Sequence, residues 1–343
     1  MAVVGGVKRA KYAHGKALSG IGPAHLIPRA STCTTGCPLL DATLEGGLRT
    51  GCVHEIVGES NCGKTQLCLQ LLLTCQWSKS ARGLECKSLY INTEGINFSP
   101  RLQEFAEFQA SKGYLGSAGM DNIFVEKCMT EDPTALIEVL HRAQKLLQHH
   151  GVKLIVIDSI ANAFKGYSSD ALDAIPVEEG GKGPGGNQRQ FNLSQHLHRT
   201  MTLLKKYASD YDACIVLTNH VTDFIGENAV HRASQAVSDT LHTSGRRVNA
   251  SLGTSFAQSV TCRYFLSRLH AIKLNQDIYD TSGCVRSFNV VFSPYQRARE
   301  CKYIINQSGV WGIPDNCLEH RQPEAPEAPD AEDGGAFQFM DDT

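Results

Sequence analysis

Short apolar runs alternate along the chain with longer segments in which apolar and polar residues are mixed. The runs predict strands at 52–57, 88–92, 122–125, 154–158 and 213–217. The mixed segments predict helices at 66–73, 100–108, 133–148 and 188–207. Strands that are apolar throughout and separated by helices are typical of a parallel sheet covered on both faces. The pattern therefore predicts an α/β fold.

The pattern changes after residue 255, where segments at 259–266, 285–292 and 302–306 follow one another as strands without helices. They predict antiparallel strands that extend one edge of the sheet. Residues 1–30, rich in Gly and Ala, predict a flexible basic leader. Residues 316–343 predict a disordered acidic tail, because the chain from 322 onward is acidic and proline-rich and lacks Lys and Arg. The folded core is expected at 31–315.

Composition narrows the classes of protein that the chain can represent. The net charge is −2, so any DNA-binding surface must be a local patch. Thirteen cysteines without a C-x-x-C pair favour free thiols in a reducing compartment over disulfides or zinc. No apolar run has the length that spans a membrane. Residues 1–40 lack acidic residues, which leaves a disordered leader, a basic arm and an organelle (mitochondrial) transit peptide all open.

The segment 58–65 reads G-E-S-N-C-G-K-T and matches the phosphate-binding loop G-x-x-x-x-G-K-[ST]. A predicted strand precedes it and a predicted helix follows, which is the context this loop requires. Its backbone N–H groups are expected to form an anion nest, with Lys64 reaching the β- and γ-phosphates and Thr65 holding Mg²⁺. The loop predicts a nucleotide site made of Gly58, Glu59, Ser60, Asn61, Cys62, Gly63, Lys64, Thr65 and Gln66.

Two acidic residues follow predicted strands of the same sheet. Asp158 ends an apolar strand, where an acid orients Mg²⁺ in phosphate-loop enzymes. Glu94 follows the strand at 88–92 and is predicted to orient or deprotonate the attacking water, which makes it, with Lys64, a catalytic candidate. An ordinary strand-end acid and a solvated loop acid are the alternatives for these two positions.

Arg101 and His220 complete the predicted nucleotide site. Arg101 opens the helix after Glu94 and is predicted to lie over the adenine, the alternative being an exposed helix arginine. His220 follows the strand at 213–217 and is predicted to sense the γ-phosphate, the alternative being a structural histidine.

Taken together, these motifs resemble the RecA-type strand-exchange recombinases of homologous recombination, and specifically their eukaryotic paralogues. The resemblance extends over residues 31–312 and implies a RecA-like P-loop ATPase core that uses ATP and Mg²⁺. It also implies a glutamine where this chain has His220. The matching segments are 34–36, 44–47, 90–95, 156–159, 244–253 and 291–295.

The resemblance further implies two DNA-binding loops, at about 167–188, which includes the Gly-rich stretch 180–186, and at about 220–251. Arginines in or near these loops would contact the phosphates of single-stranded DNA without sequence preference. The candidate DNA contacts are Arg189, Arg246, Arg247 and Arg263.

The resulting expectation is a slow, DNA-dependent ATPase of the nucleus, with no membrane association. It would assist the main strand-exchange recombinase on single-stranded DNA and the processing of recombination intermediates, in a heteromer with another recombinase paralogue. An ATP-binding scaffold subunit with little hydrolysis and a hexameric RecA-fold helicase are the alternatives.

Overall fold

A computed structural model describes residues 31–115, 119–167, 185–223, 241–269, 272–274 and 284–320. The strands are β1 (Thr32–Cys33), β2 (Leu48–Arg49), β3 (Cys52–Gly58), β4 (Lys87–Asn92), β5 (Ile123–Lys127), β6 (Val152–Asp158), β7 (Cys214–Asn219), β8 (Val221–Asp223), β9 (Leu241–Thr243), β10 (Arg246–Ala250), β11 (Cys262–Arg268), β12 (Ile272–Leu274), β13 (Arg286–Phe292), β14 (Glu300–Asn306), β15 (Gly309–Gly312) and β16 (Leu318–His320). The α-helices are α1 (Pro38–Thr43), α2 (Lys64–Thr74), α3 (Ser99–Ser111), α4 (Pro133–His149), α5 (Gly185–Tyr211) and α6 (Gly253–Ala257), and 3₁₀ turns lie at Lys79–Ala81, Asn162–Tyr167 and Asp315–Cys317.

Among the described residues, nine strands form one sheet in the order β15-β14-β13-β11-β3-β7-β6-β4-β5. The strands from β11 to β5 run parallel to one another. Strands β13, β14 and β15 add antiparallel neighbours beside β11. The predicted fold class, a mostly parallel sheet flanked by helices with antiparallel C-terminal edge strands, is confirmed.

The central strands are apolar throughout because both faces of the sheet are buried. In β6, Leu154 and Val156 pack into the layer that contains the leucines of α2. The alternate residues, Ile155 and Ile157, pack on the other face against α4 and α5. Successive side chains of a strand point to opposite faces, so a strand between two helical layers needs an apolar residue at every position.

The structure changes the predicted boundaries at several places. Helix α5 runs from 185 to 211, and the segment 220–251 contains three short strands in the order β8-β10-β9 instead of a plain loop. Strand β16 pairs with β12, so the described fold continues to residue 320, beyond the predicted end at 315. The leader at 1–30, residues 168–184 of the Gly-rich loop and the tail from 321 lie outside the described residues.

The cysteines are free thiols, and all except Cys52 and Cys284 are buried. In the described part of the chain, no cluster of three or more His, Cys, Asp and Glu side chains is arranged to hold a metal ion. Within the same ranges, no helix is long and apolar enough to cross a membrane.

Candidate functional site

Four neighbouring parallel strands place the predicted site residues at one edge of the sheet. The order β3-β7-β6-β4 aligns their carboxyl ends. The phosphate loop leaves β3, His220 follows β7, Asp158 ends β6, and Glu94 comes shortly after β4. In open α/β sheets, ligands bind in the crevice outside this edge.

The phosphate loop turns sharply between β3 and α2. Asn61 (φ 64°) and Gly63 (φ 101°) have left-handed backbone conformations, which turn successive N–H groups toward a common side. Gly63 is the N-cap of α2, so the positive end of the helix dipole faces the same place. Lys64 is buried, and its Nζ donates to the carbonyls of Gly58 (2.7 Å) and Glu59 (2.9 Å). The loop thus combines a left-handed turn with a helix N-terminus and a buried lysine, and phosphate binding there stays a prediction.

Thr65 and Asp158 meet as expected for a pair that holds Mg²⁺. The Thr65 hydroxyl donates to Oδ2 of Asp158 at 2.7 Å. The Tyr90 hydroxyl donates to the same oxygen at 3.0 Å, and Thr218 donates to Oδ1. The carboxylate is therefore oriented by three hydroxyls, and hard oxygen atoms beside a phosphate loop are the donors that Mg²⁺ prefers. These residues fit Mg²⁺ together with a nucleoside triphosphate.

Glu94 is hydrogen-bonded to His220, which stands where the RecA-type recombinases that this chain resembles have a glutamine. Oε1 of Glu94 lies 2.6 Å from Nε2 of His220, which also lies 3.2 Å from the Ser159 hydroxyl. The hydrogen bond from His220 lowers the pKa of Glu94. Asn92 accepts the backbone N–H of Glu94 at 3.1 Å and so fixes the turn that presents the carboxylate.

One cavity of about 690 Å³ brings most of the predicted site together. Its volume lies in the range of small-molecule and cofactor pockets. Of the predicted residues, Gly58, Glu59 and Cys62 do not line it. The predicted residues that do line it are Ser60, Asn61, Gly63, Lys64, Thr65, Gln66, Glu94, Arg101, Asp158 and His220.

Arg101 lies on the wall of this cavity with its guanidinium already engaged. Nε donates to Oε1 of Gln66 at 2.7 Å, and the guanidinium also bonds the carbonyl of Asn306. It pairs with Glu104 on the same helix and stacks 4.1 Å from the centre of the Phe105 ring. These contacts fix Arg101 between α3 and the β14–β15 turn; its contact with adenine stays a prediction.

Arg286 is a cavity residue that the sequence did not predict. It begins β13, and its Nε donates to the carbonyl of Asn61 in the phosphate loop at 3.2 Å. A guanidinium at this place suits an anionic ligand. No local pattern marks it, because β13 reaches the loop only through the strand order of the sheet.

The four candidate DNA contacts lie in different environments. Arg246 and Arg247 are exposed on β10. Arg189 lies in α5, and its side chain is outside the described residues. Arg263 is 3% exposed, and its Nε donates to Glu55 at 2.7 Å inside the sheet. The prediction that Arg263 contacts DNA is therefore wrong: it points inward from β11 and neutralises a carboxylate that is 0% exposed.

Comparisons with known proteins agree with this geometry. A family model described as Rad51 matches residues 29–250. The chain is 31% identical to the DNA repair protein XRCC3 homolog of Arabidopsis thaliana over 315 residues, which cover 85% of this chain and 98% of that protein. It is 29% identical to the DNA repair protein XRCC3 of Mus musculus over 287 residues, 81% of this chain and 74% of that protein. It is 28% identical to the meiotic recombination protein DLH1 of Candida albicans over 309 residues, 89% of this chain and 82% of that protein.

Proposed function

The chain belongs to the Rad51 family, and from that premise we propose that it is a recombinase paralogue that binds ATP and DNA in double-strand break repair by homologous recombination. The segments 244–253 and 291–295 predict a likeness to the plant-type form of X-ray repair cross-complementing protein three, and the XRCC3 relatives confirm it.

The observation that carries the proposal is the cavity in which phosphate loop, Mg²⁺ ligands and Glu94 meet. Lys64 would bind the β- and γ-phosphates, and Thr65 and Asp158 would hold Mg²⁺. Glu94, two residues after the end of β4, would orient the attacking water and accept its proton. The reaction that this set supports is hydrolysis of ATP.

Turnover by the isolated chain is expected to be slow. The carboxylate of Glu94 is engaged by His220 at 2.6 Å and must exchange that bond for one to water. A charge-neutralising Lys or Arg supplied by a neighbouring subunit is worth about 10³–10⁵ in rate in related phosphoryl transfers. We therefore place the active form in a heteromer with another recombinase paralogue.

The DNA partner is single-stranded DNA, including recombination intermediates, bound through phosphates. Arg246 and Arg247 are exposed on β10. Strand β10 pairs with β8, which begins directly after His220 of the nucleotide cavity. With a net charge of −2, binding rests on such local cations. The chain would work in the nucleus beside the main strand-exchange recombinase.

A second candidate, an ATP-binding scaffold subunit that hardly hydrolyses, is favoured by one observation. The Glu94–His220 contact occupies the carboxylate that hydrolysis needs. Bound ATP would then stabilise a subunit interface without being consumed.

Steady-state ATP turnover of the purified protein separates the two candidates. Wild type, Glu94→Gln and Lys64→Ala are compared with and without single-stranded DNA. We expect DNA to stimulate wild-type turnover, and Glu94→Gln to lower it by about 10²–10⁴ because the base is lost. Lys64→Ala is expected to abolish ATP binding, and retained ATP affinity in that variant would contradict the site assignment.

The scaffold function is supported instead if ATP binds but turnover does not depend on Glu94. That comparison is made with the chain alone, with DNA, and with a paralogue subunit added. Glu94-independent turnover in all three conditions contradicts the ATPase proposal.

A further inference from the structure

Glu59 is the second residue of the phosphate loop, yet its side chain points away from the nucleotide cavity. The carboxylate is only 6% exposed and is surrounded by donors from two distant segments. Arg268 of β11 holds both oxygens, Nε to Oε1 at 3.0 Å and Nη2 to Oε2 at 3.1 Å. The hydroxyls of Thr243 and Ser244 donate to Oε1 at 2.7 and 2.9 Å.

Thr243 and Ser244 belong to the hairpin β9–β10, which carries two of the candidate DNA contacts, Arg246 and Arg247. Its two-residue turn, Ser244-Gly245, has positive φ at both positions, 51° and 75°, the geometry that matches the twist of paired strands. Arg246 stands opposite Thr243 across this turn. The carboxylate of Glu59 therefore holds the hairpin at its tip.

Arg246 is shared between two carboxylates. Its Nη1 lies 3.0 Å from both oxygens of Asp223 in β8, and its Nη2 lies 3.4 Å from Oε2 of Glu59. The Arg246 side chain is 52% exposed, so a DNA phosphate can reach it and compete with both carboxylates. A movement of Glu59 therefore changes how readily the Arg246 guanidinium can bind a DNA phosphate.

The backbone of Glu59 contacts Lys64, the proposed phosphate-binding residue, while its side chain contacts the hairpin. Its carbonyl accepts a hydrogen bond from Nζ of Lys64 at 2.9 Å. A lysine that binds phosphate oxygens redistributes its three donors between them and its present carbonyl partners. Phosphate binding at Lys64 thus acts on the same residue that anchors the hairpin through three side-chain contacts and holds Arg268 of β11 through two more.

We propose that Glu59 is the positioning residue that couples nucleotide binding to the DNA grip of the hairpin β9–β10. The inference rests on the proposed function, in which this chain binds ATP and DNA. Glu59 acts through Arg246, Thr243 and Ser244, and the ligand whose affinity it controls is the phosphate backbone of single-stranded nucleic acid.

The test measures how much nucleotide strengthens DNA binding. The affinity of full-length protein for a fluorescent oligothymidylate is determined without nucleotide and with a non-hydrolysable ATP analogue at a concentration that saturates each variant. In wild type we expect the analogue to tighten binding by about fivefold or more, the usual scale of coupling between sites. In Glu59→Ala we expect this ratio to fall to about 1, as expected when the connecting residue is removed.

Two further variants show whether the change in the affinity ratio comes from the loss of coupling through Glu59 or only from the release of Arg246. Glu59→Gln keeps oxygen and nitrogen atoms near the hydroxyls but loses the charge that holds two guanidiniums, so its ratio should lie between those of wild type and Glu59→Ala. Asp223→Asn is the matched control: it also releases Arg246, but it changes a residue of β8 and leaves the phosphate loop and the contacts of Glu59 in place. It should strengthen DNA binding in both nucleotide states and keep the wild-type ratio.

Each outcome decides a different claim. A wild-type ratio in both folded Glu59 variants overturns the role of Glu59 and leaves the proposed function standing. Wild type that binds no DNA overturns the proposed function and this inference with it. Wild type that binds DNA equally with and without the analogue overturns the coupling and leaves the proposed function standing. If both variants fail to fold, hydrogen exchange on wild type decides: unchanged protection at 241–250 on addition of the analogue overturns the coupling.

Discussion

At the scale of single residues, the site depends on side chains whose partners set their roles. Glu94 is one example, because the same carboxylate that suits a catalytic base is bonded to His220. His220 also contacts Ser159, the residue directly after Asp158, the proposed Mg²⁺ ligand. His220 therefore lies between Glu94, the proposed base, and the residue that follows the end of β6.

Replacing His220 tests its part in responding to the γ-phosphate. With His220→Gln, the amide nitrogen carries two N–H donors, so Glu94 and a phosphate oxygen no longer compete for one ring nitrogen. We expect ATP-dependent retention of single-stranded DNA to rise by about fivefold, within the usual range of coupling between sites. The measurement is DNA affinity with and without ATP analogue.

The control for this substitution is His198→Gln, which makes the same change at an exposed position of α5. It should leave both DNA affinities at their wild-type values. Equal DNA affinities of His220→Gln and wild type in both nucleotide states would contradict the relay.

At the scale of elements, the position of the phosphate loop depends on how closely β3 approaches β11. Gly58 ends β3 and pairs with Leu266 in β11. A Cβ atom at residue 58 would lie 2.5 Å from the Leu266 carbonyl oxygen and 2.6 Å from Sγ of Cys62. Residue 58, at which the phosphate loop starts, must therefore be glycine, because β11 and Cys62 leave no space for a Cβ atom there.

Gly58→Ala should therefore affect both stability and ligand binding. We expect the free energy of unfolding to fall by about 1–3 kcal/mol, the usual cost of overpacking. ATP affinity should fall as well, because the added methyl displaces the strand end from which the loop begins. Urea unfolding and equilibrium binding of a fluorescent ATP analogue measure the two effects.

Gly166→Ala provides the comparison, since a Cβ there meets no atom closer than 3.3 Å. Its free energy of unfolding should stay closer to that of wild type. Equal unfolding midpoints for Gly58→Ala and wild type would show that β3 and β11 separate without cost.

At the scale of the whole molecule, buried polar groups tie the sheet to the segment that precedes it. His54 of β3 is 0% exposed; its Nε2 lies 2.7 Å from the Arg49 carbonyl and its Nδ1 lies 3.1 Å from the Tyr264 hydroxyl. Tyr264 in turn donates to Gln296, whose amide bonds the carbonyl of Leu44. The network joins β3, β11 and two loops distant in sequence.

This network makes stability depend on pH. Burial lowers the pKa of His54 to about 4 from the ordinary 6.5, so the unfolded chain binds the proton more readily between these values. The free energy of unfolding should therefore fall as the pH falls through this window, by about 2 kcal/mol between pH 7 and pH 5.

Urea unfolding of wild type and His54→Gln at the two pH values measures this. Carboxylates with lowered pKa values, such as Glu59 at about 2, stay ionised above pH 5 and add little to the change. The variant should be less stable at pH 7 but should lose most of the difference between pH 7 and pH 5. An unchanged difference in the variant would assign the pH dependence to other groups.

The sequence by itself determined the parallel sheet, the phosphate loop and the acids at the strand ends. Each of these features follows from residues that are close together in the chain. An apolar run that ends in a polar residue indicates a buried strand whose end lies at an edge of the sheet. The pattern G-x-x-x-x-G-K-T indicates the turn of a phosphate loop. The strands β8, β9 and β10 escaped prediction because they are short and their residues alternate only briefly between exposed and buried positions.

Only the tertiary structure decided which distant residues meet. Strand order brought Arg263 to Glu55 and so removed it from the DNA contacts, brought Arg286 to the phosphate loop, and turned Glu59 toward the hairpin. The physical reason is that these partners lie more than 180 positions apart in the chain, as for Thr243 and Glu59. Their contact depends on which strands pair and in which direction, and no local pattern of residues records that choice.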